Sequence, residues 1–347
     1  MKPRSMLPLA LALPVVGLAL VRPQSDARRM PLPRCATPQC PEIAPPPAQR
    51  AAWRHLRTNA TVRLGAARHR GRDMFYQPGA AQWAIAKFAY GPADADLHDE
   101  DVDVWLRRGC GPWESLGTAR TTNDGQHAAV EGVQDDGGRV YLQIPSSRAL
   151  GEGWHTVRFV VKGDGTFTEQ RLRVLGRFSA VAVTDVDGTL TENEYAEFPA
   201  MLTGTLATTH DGAPEVFRAL AQRGYDVMYL TARPEWLLPR TKEWLDARGF
   251  PRGIVHTTLG ATGHIGDAAE AFKTQELSML TARIGAGPWL GFGNMPSDIR
   301  AYRAARIDPS RAFFYRQAVA QGQGVRHDSY RSLIQQMSAQ PPRCSTR

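Results

Sequence analysis

Residues 181–191 read Val-Ala-Val-Thr-Asp-Val-Asp-Gly-Thr-Leu-Thr. The β-branched run suits a buried parallel strand, and it delivers Asp185 and Asp187 to its C-terminal end. Gly188 and Thr189 then turn the chain. In an open α/β sheet, ligands and chemistry gather at that end of a strand. Two carboxylates one residue apart suit a divalent cation with a phosphate beside it, one to attack and the other to move a proton. The plain alternative is an acidic turn, because Asp and Gly are common turn residues.

Past Arg177 the chain alternates strand and helix signals. Strands are predicted at 180–186, 226–231, 253–257, 289–293 and 312–316, and helices at Pro214–Gly224, Glu235–Arg248, Ala268–Ile284, Pro296–Ala305 and Ser329–Met337. This order gives an α/β fold with a Rossmann-like, doubly wound, mostly parallel sheet. Only about 35 residues separate the paired aspartates from the second strand, which leaves room for a minimal cap and an open site.

Further functional residues follow in order. Thr231 ends the second strand in Thr-Ala-Arg233, Lys273 lies on a helix, and Trp289-Leu-Gly-Phe-Gly-Asn-Met-Pro-Ser-Asp298 places an acid after a strand. Singly, a threonine at a strand end or a lysine on a helix carries no information. Together the four positions resemble the motifs of the haloacid dehalogenase superfamily of aspartate-nucleophile phosphatases. Within it, Asp185–Thr191, Tyr229-Leu-Thr-Ala-Arg-Pro234, Phe250-Pro-Arg-Gly253 and Gly291–Tyr302 look like the lipin-type phosphatidate phosphatases and the C-terminal domain of the Nir/RdgB phosphatidylinositol-transfer proteins. The likeness runs from about residue 178 to about residue 317.

The resemblance implies a haloacid dehalogenase-type fold and magnesium-dependent phosphomonoester hydrolysis through an aspartyl-phosphate. Asp185 would be the nucleophile and Asp187 the acid/base. Thr231 and Lys273 would hold the phosphoryl oxygens, with Arg233 as a further contact to lipid or phosphate. Mg2+ would be held by Asp185, the Val186 carbonyl, Asp187 and Asp298, with Asn294 supporting them. Some of these relatives keep both aspartates and hydrolyse phosphatidate; others have lost them and only bind lipid. Retention of both therefore points to a phosphatase, acting on a phospholipid such as phosphatidate. The alternatives are a phosphatase of soluble or macromolecular phosphoesters and a non-catalytic phospholipid-binding module.

The whole chain has 347 residues, 42% of them hydrophobic, a length that suits two domains of ordinary size. Its net charge of +8 favours anionic partners such as phosphorylated ligands or an acidic membrane surface. No basic stripe interleaved with aromatics argues for nucleic acid. Arg63, Arg68, Arg70 and Arg72 read as a solvated face.

Residues 1–27 place Lys2 and Arg4 ahead of an apolar run from Leu7 to Val21, the pattern of an export signal or membrane anchor. The expected location is therefore outside the cytoplasm (periplasmic or extracellular) or on a membrane through the amino terminus. The even cysteine count, Cys35, Cys40, Cys110 and Cys344, suits an oxidising compartment, and Cys35–Cys40 is the expected local bridge. Residues 28–60, densest in proline from Pro31 to Pro47, read as a linker.

Residues 61–176 read as an all-β sandwich, immunoglobulin-like, ahead of the α/β domain at 177–340. Its strand signals are Gln82–Tyr90, Val102–Arg107, Val140–Ile144, His155–Lys162 and Thr168–Val174, separated by Asn-Asp-Gly and Asp-Gly-Gly turns. The acids Asp94, Asp96, Asp99, Glu100, Asp101 and Asp103 read as a solvated edge. Trp236 and Trp244 are expected to pack in helices, with Trp236 placed to meet acyl chains if exposed.

Overall fold

The structure, a computed structural model, describes residues 43–194 and 205–344, together with residues 32, 35, 40 and 41. The apolar run expected to be a signal or anchor lies outside the described residues. All described residues fall within one compact unit, Leu32–Arg347. Among them, no helix is long and apolar enough to cross a membrane.

The first part is a β-sandwich. A three-stranded sheet joins β1 (Arg70–Gly71), β3 (Trp83–Lys87) and β8 (Arg139–Gln143). A five-stranded sheet runs in the order β2 (Met74–Tyr76), β10 (Phe167–Val174), β9 (Gly153–Val161), β6 (Asp101–Arg108) and β7 (Trp113–Arg120). Alternation along β6 sends Val102, Val104 and Leu106 into the shared core with Phe88, Phe159 and Val157. The ladder is antiparallel throughout except between β2 and β10, which pair in parallel. A small ribbon of β4 (Ala89–Tyr90) and β5 (Ala95–Asp96) completes this part.

The second part is a six-stranded parallel sheet. Its order is β13 (Gly253–His256), β12 (Tyr225–Leu230), β11 (Ala180–Thr184), β14 (Leu290–Gly293), β15 (Ala312–Tyr315) and β16 (Val325–His327). Each of β11 to β14 is buried on both faces, as parallel sheets require. From β11, Ala182 faces one core with Phe217, Leu220 and Trp244 from the Ala213–Gln222 and Leu238–Ala247 helices. Val181 and Val183 face the other, with Leu277, Leu280, Ala301 and Tyr302 from the Gly266–Ile284 and Pro296–Ala304 helices. The chain leaves β11 to build one side of the sheet, then crosses back to build the other from β14. The crevice above the C-terminal ends of β11 and β14 is therefore the switch point of the sheet.

The expected Cys35–Cys40 bridge is not formed. Cys35 pairs with Cys344 (Cα–Cα 4.7 Å) and Cys40 with Cys110 (Cα–Cα 5.0 Å). After Cys40 the chain meets the sandwich: Arg107 Nη2 donates to the Pro41 carbonyl (2.7 Å) and Ala51 N to the Lys162 carbonyl (2.9 Å). These contacts hold the segment after Cys40 against the sandwich strand that leads to Cys110.

Candidate functional site

Asp185 follows β11 directly, and its amide donates to the Phe292 carbonyl of β14 (2.9 Å), which ties the two strand ends together. The chain then turns through Gly188, at φ +68°. A side chain there would meet Asn294 Nδ2 at 2.3 Å and Glu194 Oε2 at 2.5 Å, so only glycine fits the turn. Gly293 is required for a second reason: a Cβ on it would lie 2.5 Å from that of Asp298. These two glycines let the aspartates of β11 and the Asp298 helix share one crevice.

Lys273 is the first clamp. Its buried ammonium donates to Asp185 Oδ1 (2.7 Å) and to Asp298 Oδ1 (2.6 Å). Asp298 Oδ2 accepts the amides of Asn294 and Met295, both at 3.0 Å, and so caps its own helix. The Thr189 hydroxyl lies 3.1 Å from Asp185 Oδ2 and 2.7 Å from Asn294 Oδ1. Asn294 in turn donates to Glu194 Oε2 (3.0 Å).

Arg233 is the second clamp. Its Nη2 and Nε meet Asp187 Oδ1 at 2.7 and 3.1 Å, Nε also meets Oδ2 at 3.0 Å, and Nη1 reaches Thr241 Oγ1 at 3.1 Å. The Thr231 hydroxyl donates to Asp187 Oδ2 (2.9 Å). Every predicted side chain of the site, Asp185, Asp187, Thr231, Arg233, Lys273, Asn294 and Asp298, thus comes to the same crevice. Thr189 and Glu194 join them: Thr189 falls inside the Asp185–Thr191 stretch, where only a turn was expected of it, and Glu194 lies nine residues after Asp185.

The electrostatics are dominated by acid. Burial, then Asp298, Asp187 and Glu194, lift the Asp185 carboxyl to about 8 against the opposing pull of Lys273. The Lys273 ammonium, although buried, is held charged by Asp185 and Asp298 together. Because Lys273 is shared, it cannot fully compensate either acid. Burial likewise raises Glu194, with Asp187 and Asp298 adding to it. Among the described residues, four carboxylates therefore face two cations. An all-oxygen, acid-rich set of this kind fits a hard divalent cation, with Asp185 and Asp298 as the side chains to hold it. The Val186 carbonyl, also in the expected ligand set, accepts the Leu190 and Thr191 amides (2.8 and 3.1 Å) and closes the turn.

Tyr302 and Tyr330 brace the crevice from below, donating to the carbonyls of Phe292 (2.5 Å) and Thr189 (2.7 Å). Trp244 is fully buried, as expected for a helix core. Trp236 is half-buried, with its indole N–H on the Ala261 carbonyl (3.0 Å) and the Arg68 guanidinium over its ring.

Residues 182–316 match the family described as PITM 1-3, LNS2 domain, and residues 67–174 match PITM 1-3, beta-sandwich domain. The chain is 30% identical over 290 residues to membrane-associated phosphatidylinositol transfer protein 1 of Homo sapiens, across 83% of this chain and 21% of that protein. It is 30% identical over 261 residues to protein retinal degeneration B of Drosophila melanogaster, across 74% of this chain and 19% of that one. Both parts of the fold are thus homologous to these proteins, and the chain spans about a fifth of the length of the curated relatives it matches.

These findings correct the expected phosphatase. Relatives of this chain are named as phosphatidylinositol transfer proteins, and none of those above is named as a phosphatase. The geometry shows how retained aspartates are compatible with that. Both oxygens of Asp187 are occupied by Arg233 and Thr231, and those of Asp185 by Lys273 and Thr189.

Proposed function

We propose that this chain is a non-catalytic phospholipid-binding module that takes the phosphate of an anionic headgroup at the C-terminal edge of its parallel sheet. The observation that carries the reading is the paired clamp. Lys273 and Arg233, both buried, hold a ring of carboxylates at the switch point of a sheet homologous to that of phosphatidylinositol transfer proteins. Thr231 supplies a hydroxyl beside them.

A phosphate entering this crevice as it stands would meet more acid than base. We therefore propose Mg2+ as a partner, held by Asp185 and Asp298, which would supply the charge that lets an anion enter. The net charge of +8 draws the chain toward an anionic bilayer before the headgroup is engaged.

The test is flotation of the full chain with vesicles. Vesicles of phosphatidylcholine containing phosphatidate or phosphatidylinositol should carry the protein in Mg2+ and release it in EDTA. Equal association with pure phosphatidylcholine, or none with either anionic lipid, would remove the reading.

A further inference from the structure

The two clamps share a feature outside the crevice. Each lies beside a buried carboxylate that is held by arginines of the β-sandwich. Glu276, one turn after Lys273 on the same helix, accepts Arg72 Nη2 (2.7 Å) on one oxygen and meets His256 Nδ1 (2.5 Å) with the other. Glu235, two residues after Arg233, accepts Arg139 Nη1 (2.9 Å) and Nη2 (3.0 Å) and Arg70 Nη2 (3.1 Å). Arg72 Nη1 also donates to the Thr257 carbonyl (3.2 Å), and the next residue, Thr258, returns its amide and hydroxyl to the Arg233 carbonyl, both at 3.0 Å.

Arg70, Arg72 and Arg139 are 3%, 5% and 1% exposed, so this is an interior ion network across the junction of the two parts. Such a network is a poor way to gain stability. Arg70 also pairs with Asp94 and Arg139 with Asp136, yet desolvating Arg70, Arg72, Arg139, Glu235 and Glu276 costs more than apolar packing of the same volume, and Arg70 Nε and Arg72 Nε find no hydrogen-bond partner at all. What directional ion pairs do provide is fixed geometry. Here they end beside Lys273 and Arg233, the two cations of the crevice.

We infer that Arg70, Arg72 and Arg139 are positioning residues of the phosphate site, and that the β-sandwich works as a brace that sets the spacing of the two clamps. This inference rests on the proposed headgroup site and gives the sandwich a part in it. Without the brace, the loop after β12 and the helix bearing Lys273 keep their fold but lose their mutual register.

The experiment compares Arg72→Met and Arg139→Met with Arg72→Lys, Arg139→Lys and a control, Val104→Ala, which weakens the sandwich core away from the network. For each full-length variant, urea unfolding gives stability. Binding of phosphatidate vesicles and of a water-soluble, short-chain phosphatidate in Mg2+ gives affinity. Removal of groups that orient a binding shell costs about 10–100-fold in affinity. The methionine variants should lose affinity on that order for both ligands, the lysine variants should recover part of it, and Val104→Ala should keep wild-type affinity despite its lower stability. Methionine variants that bind like wild type would overturn the inference while leaving the headgroup site standing. If the wild-type chain binds neither ligand, the headgroup reading fails by itself. Hydrogen exchange of residues 231–237 and 266–276 then decides the brace. Faster exchange in the methionine variants than in Val104→Ala supports it, and equal exchange overturns it.

Discussion

Asp73 is a costly carboxylate to remove from this fold. It is fully buried just before β2. Its Oδ1 accepts the Lys242 ammonium and the Arg171 amide, both at 2.7 Å, and its Oδ2 accepts the Val255 amide at 3.2 Å. One side chain thus joins the sandwich to β13 and to the Leu238–Ala247 helix. In Asp73→Ala, Lys242 is left without its partner, which costs about 3–5 kcal/mol for a buried pair. Two amides lose their acceptor, adding about 1 kcal/mol each. The expected loss, about 5–7 kcal/mol, is a large share of the 5–15 kcal/mol typical of a folded domain. The assay is urea unfolding followed by circular dichroism, with Asp73→Ala, Lys242→Met and the double variant forming a cycle. Burial lowers the Lys242 ammonium and Asp73 opposes that shift, so removing both should be less harmful than removing Asp73 alone. An Asp73→Ala protein within about 1 kcal/mol of wild type, or a double variant whose loss equals the sum of the singles, would refute the reasoning.

Three further outcomes are expected. Burial holds the His69 imidazole down to about 4, so the unfolded chain takes up this proton below its ordinary 6.5 while the folded chain does not. Stability from this group is complete above pH 6.5 and lost as pH falls toward 4; about 2 kcal/mol should go between pH 7 and 4.5, and His69→Gln should flatten that part of the urea-midpoint profile. Non-reducing peptide mapping should find Cys35 linked to Cys344 and Cys40 to Cys110, and chain-entropy reasoning for the separation of 70 residues predicts a loss of about 4 kcal/mol in Cys40→Ser/Cys110→Ser; a Cys35–Cys40 peptide, or an unchanged midpoint, would count against the pairing. Ile265, 82% exposed, is the N-cap residue of the helix that carries Lys273; Ile265→Ser should weaken vesicle binding by roughly ten-fold, the worth of one buried aliphatic side chain, without changing binding of the soluble short-chain lipid.

The site was legible because its residues sit at strand ends, and strands are short-range features. Val181–Thr184 and Tyr225–Leu230 announce themselves by composition, and the residue that follows each is fixed in place by the sheet. What the residues do was not legible. The partners of the two aspartates, Arg233, Thr231 and Lys273, meet them only in space. The arginines Arg70 and Arg72 looked like a solvated face because their spacing alone does not show what they meet. Arg70 pairs with Asp94, 24 residues away, and with Glu235, 165 residues away, and Arg72 pairs with Glu276, 204 residues away. Glu100 misled in the same way: it is buried and accepts the amides of Arg54 and His55 and the Thr58 hydroxyl, not water. The strand Trp113–Arg120 was missed because it is a sheet edge, half exposed and interrupted by Gly117, so its alternation is weak.

The central claim is lipid binding without turnover, and one sample can decide it. Full-length protein is incubated with phosphatidate vesicles in Mg2+, and bound protein and free inorganic phosphate are measured together over hours. The account predicts saturable, EDTA-sensitive binding with phosphate at the level of protein-free vesicles. Phosphate release that rises in proportion to protein and ceases in Asp185→Asn would contradict it.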